Sequence, residues 1–135
     1  MPLEHLGLNV PDVARAREYY DAFMPLVGFE PFVSGPDFFS YRPSDWNGAQ
    51  LFFYSAQEEG TYSRDAPGLQ HLAFLVETRD EVHSAHEWAV QRGAEVLHEP
   101  QPFPQYHKDS YAVFWTEPHG FKLEVLCVAP ALSSD

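Results

Sequence analysis

The chain is constrained most by an order of local signals that runs through it twice. Residues 3–10 and 69–77 both alternate apolar and polar side chains, which predicts a strand at the start of each half. Pro11-Asp12 then opens a helix with a stripe of Val13, Ala16, Tyr20, Phe23 and Val27, and Gly28 stops it. In the second half Thr78, with Glu81 three residues on, is a capping-box signal. The stripe there is Val82, Ala85, Trp88 and Ala89, and Gly93 ends it. Short strands are expected at 29–33, 38–41 and 49–55, and again at 94–98, 111–116 and 121–128. Residues 99–110 read as a Pro-rich loop, and Glu117-Pro118-His119-Gly120 as a hairpin turn.

Each half therefore reads βαβββ, and matching positions can be paired. Gly28-Phe29-Glu30 answers Gly93-Ala94-Glu95, and Gly48-Ala49-Gln50-Leu51-Phe52 answers Gly120-Phe121-Lys122-Leu123-Glu124. The expected class is α+β: two tandem units, 3–56 and 69–128, joined by a polar linker at 57–68 within one domain of 1–135. A duplicated half-barrel is expected to close about a pseudo-twofold axis. That would give a curved mixed sheet around a central pocket, with the helices on its convex side.

Composition narrows the partners. Hydrophobic residues make up 44% of the chain and aromatic ones 16%, which is ample for a packed core. The formal net charge of -12 repels phosphate backbones and anionic lipid heads, so neither nucleic acid nor a membrane surface is expected as a partner. A single cysteine, Cys127, excludes an intrachain disulfide and favours a reducing cytoplasm. Its apolar neighbours Val125, Leu126 and Val128 predict a buried structural thiol. No apolar run is long enough to span a bilayer.

The chemistry is expected at His5, His71 and Glu124. The two histidines occupy equivalent places in the first strand of each half. Strand alternation puts Leu6 and Leu8 on one face and His5 on the other, and does the same for Leu72 and Phe74 against His71. Glu124 repeats the logic between Leu123 and Val125. A carboxylate among large aliphatic side chains needs a cation or hydrogen-bond donors. Two imidazoles and one carboxylate suit Zn²⁺, Fe²⁺, Mn²⁺, Ni²⁺ or Co²⁺ and leave coordination positions open. By parity Phe52 and Tyr54 face inward with Gln50, joined by Phe114 and by Tyr106 or Trp115, a wall suited to a flat or apolar small molecule. Lys122 shares the face of Glu124, either as a strand-edge surface lysine or facing an anionic substrate group. His83 and His86 read as a solvated helix face, and His98 and His119 as exposed turn residues.

Several segments resemble one known superfamily. They are Glu4-His5-Leu6-Gly7-Leu8-Asn9-Val10, Tyr19-Tyr20, Leu26-Val27-Gly28-Phe29, Gly68-Leu69-Gln70-His71-Leu72-Ala73-Phe74, and above all the ending from Tyr111 to Glu124. Together they look like the vicinal oxygen chelate superfamily, which includes glyoxalase I, extradiol dioxygenases, and bleomycin and fosfomycin resistance proteins. The resemblance covers residues 3–128 and implies ligand positions at His5, Phe52, His71 and Glu124. Phe52 departs from glyoxalase I, which has a carboxylate at that place. What remains is a two-histidine, one-carboxylate set of the kind the extradiol enzymes use with iron. The extradiol signature resembles His107, Val113, Glu117-Pro118, Gly120 and Glu124, with Phe114 where those enzymes carry a tyrosine. His107 is therefore a candidate acid or base beside the metal, along with Glu124, or an exposed loop histidine. The resemblance also implies a homodimer. Two functions follow: a metal-dependent lyase, isomerase or dioxygenase acting on a small molecule, or a metal-free sequestering protein of the bleomycin-resistance kind.

Overall fold

The structure, a computed structural model, describes residues 2–130. Met1 and 131–135, the ends of the expected domain, lie outside the described residues. The chain divides between Thr61 and Tyr62 into two compact units.

Unit 1 runs β1 (His5–Val10), α1 (Val13–Phe23), a 3-10 turn (Met24–Val27), β2 (Phe29–Pro31), β3 (Phe38–Pro43) and β4 (Gln50–Ser55). Asp12 caps α1 by accepting the Arg15 N–H at 3.0 Å. The helix buries Ala16, Tyr20 and Phe23 against β3 and β4. Tyr20 and Phe23 are fully buried, and each contributes roughly 2–3 kcal/mol by leaving water. Gly28 ends the 3-10 turn at φ 79, and its counterpart Gly93 follows the second helix at φ 73, both in the left-handed region that disfavours a Cβ.

Unit 2 repeats the order with β5 (Leu72–Leu75), α2 (Arg79–Gln91), β6 (Glu95–Pro102), β7 (Ser110–Thr116) and β8 (Lys122–Val128). Thr78 is the N-cap of α2: its Oγ1 accepts the Glu81 N–H at 3.2 Å and its hydroxyl donates to Glu81 Oε1 at 3.1 Å. Two boundaries differ from the sequence reading. β6 continues to Pro102 through what reads as loop, and β5 is short enough that His71 lies just before it, while His5 is the first residue of β1.

The sheets have the same order, β1-β4-β3-β2 and β5-β8-β7-β6, each with one parallel pair and two antiparallel pairs. The expected closure of the half-barrels into one continuous sheet is not found: strand pairing gives two separate four-stranded sheets. β2 is three residues long and ends on Pro31, and β6 carries Pro100, Pro102 and two register irregularities. No helix is long and apolar enough to cross a membrane among the described residues.

Candidate metal centre

Unit 2 holds the most chemically loaded place in the chain. On β8, Leu123 and Val125 are fully buried toward the core, and Glu124 points to the opposite face yet is itself 9% exposed. Its cross-strand neighbours are Phe114 on β7 and Ala73 on β5. His71, just before β5, brings its Nε2 to 3.2 Å from Glu124 Oε1.

His71 Nδ1 is engaged by Gln70 Oε1, so Nε2 is the ring atom that meets the carboxylate, either as an N–H donor to it or with an ion between the two. Ligand bonds of about 2.0–2.2 Å at octahedral or tetrahedral angles separate neighbouring ligand atoms by about 2.8–3.6 Å. The observed distance suits a hydrogen bond and lies in that range too, so the two residues fit a divalent ion as two of its ligands. Burial pushes the Glu124 carboxyl up from its ordinary value; the neighbouring His71 pulls it back, and Lys122 acts weakly the same way.

Unit 1 presents the equivalent histidine with the same orientation device. His5 Nδ1 is engaged by the Glu4 carboxylate, which leaves Nε2 free. Where unit 2 has Glu124, unit 1 has Phe52, whose ring lies 5.3 Å from that of His5. Phe52 stacks with Phe38 at 6.4 Å and with Tyr54 at 6.1 Å, so this face of the sheet is an aromatic wall. No group of three or more His, Cys, Asp or Glu side chains that could hold a metal ion is found among the described residues.

The remaining sequence candidates divide. Phe114 is buried beside the pair, its ring 6.1 Å from His71, and Lys122 Nζ lies 5.0 Å from the same ring. Tyr106 is 74% exposed and touches Phe103 at 6.2 Å. His107 sits in an exposed turn where its Nδ1 accepts the Asp109 N–H at 3.0 Å. Cys127 is fully buried, and burial raises its thiol pKa, as a structural thiol requires. His83 meets the Tyr111 hydroxyl at 2.9 Å.

Two histidines stand elsewhere than the turn reading placed them. His98 lies within β6 opposite Phe114, with its ring 5.5 Å from Phe114 and 5.7 Å from Phe103. The period-two pattern Val96, His98, Pro100 carries the signal, but the prolines argued against a strand there. His119 is not exposed: its side chain is 6% accessible, with Nδ1 3.4 Å from Glu117 Oε2. Glu117 also accepts the Phe121 N–H at 3.1 Å, so the pair braces the turn between β7 and β8. Nothing in a turn sequence distinguishes a histidine that folds inward.

Comparison with known proteins was made against this geometry. A sequence model of the glyoxalase/bleomycin resistance protein/dioxygenase superfamily matches residues 3–125. The uncharacterized Bacillus subtilis protein YqjT is 29% identical over 133 residues, covering 96% of this chain and 99% of its own. A crystal structure of a provisionally assigned glyoxalase from Bacillus halodurans is 28% identical, with a TM-score of 0.79 over 93% of this chain and 94% of that one. The fosfomycin resistance protein FosX from Listeria monocytogenes shares the fold alone: its TM-score is 0.65 at 16% identity, over 94% of this chain and 93% of that one.

Proposed function

The chain belongs to the glyoxalase/bleomycin resistance protein/dioxygenase superfamily, and from that premise we propose that it is a divalent-metal-dependent enzyme acting on a small molecule that chelates the metal through neighbouring oxygens. The observation that carries this is the His71–Glu124 pair, an imidazole Nε2 and a nearly buried carboxylate 3.2 Å apart with the ring held at Nδ1 by Gln70. His5, fixed in the same way by Glu4, is the third ligand of the proposal. A divalent ion held there supplies Lewis acidity toward two adjacent oxygens of a substrate and leaves positions open for them.

The chain's own residues do the rest. Gln70 and Glu4 engage each Nδ1, which leaves each Nε2 as the ligand atom of the proposal. The lyase, isomerase and dioxygenase classes all use such a site, and Zn, Fe, Ni, Mn and Co all suit its donors. His107, from its exposed turn, is proposed to move a proton at the substrate. The single buried thiol supports a cytoplasmic setting, and a homodimer is part of the proposal. Light scattering that gives the 15.4 kDa monomer mass would remove the dimer alone.

One observation favours a second reading, metal-free sequestration of a small molecule: unit 1 offers a wall of Phe38, Phe52 and Tyr54 in place of a second carboxylate. Mn²⁺ binding to parent and Glu124→Gln protein separates the two. The enzyme reading expects the parent to bind and the variant, of equal size but neutral, to bind at least about tenfold more weakly. Sequestration expects no binding by either.

A further inference from the structure

The aromatic face of unit 1 is shaped by two glycines that the backbone does not require. Gly7 lies mid-strand in β1 and Gly35 in the turn before β3, and neither has a left-handed φ. A glycine inside a strand weakens it, and often marks a place where another group comes close. Here that group is a ring. A Cβ on Gly7 would stand 3.2 Å from the Tyr54 ring, and a Cβ on Gly35 would stand 2.7 Å from the Phe38 ring. Both rings therefore lie low against the backbone, where any other residue would lift them. Phe38, Phe52 and Tyr54 are parallel to within 25°, and their centres are 6.0, 6.1 and 6.4 Å apart. Rings spaced in that way form a triangle, not a column, so they pave the face side by side. Tyr54 is 40% exposed and the other two are half-buried, which leaves one side of the floor open. Phe32 meets Phe52 at 82° along one edge, and the His5 ring is 5.3 Å from Phe52 along another. The charges nearby are matched to each other: Arg42 donates Nε and Nη2 to Glu30, and Glu4 engages His5 Nδ1.

We propose that Phe38, Phe52 and Tyr54 are a stacking floor for the uncharged planar ring of a small molecule, and that Gly7 and Gly35 are positioning residues that keep the floor flat. This rests on the small-molecule reading that both functions above share, and it needs no metal. A planar ring lies on the parallel rings face to face; a saturated ring of similar size is puckered and keeps only the burial of apolar area. Matched charges at the rim leave flatness as the property that is selected. Continuity with His5 favours a ligand of the proposed centre, rather than a second copy of the chain, as the occupant.

The test compares 2-naphthol with decahydro-2-naphthol, titrated by ligand-observed NMR into full-length protein freed of metal by chelation. The parent should bind the planar alcohol roughly threefold to tenfold more tightly, the worth of an aromatic pair beyond equal burial. Tyr54→Leu and Phe52→Leu should each bring the two ligands toward parity. Gly7→Ala touches no ligand; it should keep the fold, because half-exposed Tyr54 can shift, and should lower the preference by tilting that ring. Equal binding of both alcohols by the parent, or a preference left intact in both leucine variants, would overturn the floor, and a full preference in Gly7→Ala would overturn the positioning role. A parent dimer that dissociates in Tyr54→Leu by light scattering would give the floor to a second copy and overturn the proposal as well. A parallel Mn²⁺ titration keeps the two readings apart. A parent that prefers 2-naphthol but takes up no Mn²⁺ supports the floor and removes the metal reading. A parent that takes up Mn²⁺ without preferring 2-naphthol does the reverse.

Discussion

At the scale of single residues, the site was legible where the repeat doubled the signal. One strand histidine says little, but two at equivalent positions on the non-core face single themselves out, and the structure gives each an Nδ1 partner from the preceding residue, Glu4 in one case and Gln70 in the other. Glu124 was legible as a carboxylate out of place among aliphatic side chains. The exposure of His98 was legible as well, whereas the burial of His119 was not, because it depends on tertiary packing that a four-residue turn does not announce. The repeat makes a further prediction at Phe52, which stands opposite Gly7 in β1 as Glu124 stands opposite Ala73 in β5. Phe52→Glu should supply a fourth ligand, a carboxylate oxygen beside His5, and tighten Zn²⁺ binding by about tenfold or more, one ligand's worth being at least about 1.4 kcal/mol. Calorimetric titration showing unchanged affinity would mean the halves are not equivalent at this position.

At the scale of elements, helix boundaries followed from caps and the strand ends did not. Asp12, Thr78, Gly28 and Gly93 act through local geometry that the sequence states directly. The length of β6 depends on pairing with β7, a non-local matter that overrode Pro100 and Pro102. Unit 1 ties its helix to its sheet through one buried polar contact: the fully buried Tyr41 of β3 donates its hydroxyl to Asp21 of α1 at 2.8 Å. Burial, and then the Asp21 carboxylate, push the Tyr41 pKa well above its ordinary value. The sign follows: the unfolded chain ionises this tyrosine at a pH of about 10 while the folded chain does not, so stability falls as pH rises past that point. Tyr41→Phe should cost about 2 kcal/mol at neutral pH, from the lost hydrogen bond to a charged acceptor. It should also lose less stability than the parent between neutral pH and strongly alkaline solution. Thermal melts of both proteins at several pH values check this, and parallel alkaline losses would contradict it.

At the scale of the whole molecule, the duplication predicted two like units, and the two sheets share one strand order. It did not predict that strand pairing would stop within each unit. The proposed centre takes His5 together with His71 and Glu124 as ligands of one ion. Zinc titration by calorimetry with parent, His5→Ala, His71→Ala and Glu124→Gln proteins tests that claim most directly. The account predicts one ion per chain for the parent and at least about tenfold weaker binding for each variant, His5→Ala included. A parent that binds no zinc, or a His5→Ala protein that binds it as tightly as the parent, would contradict it.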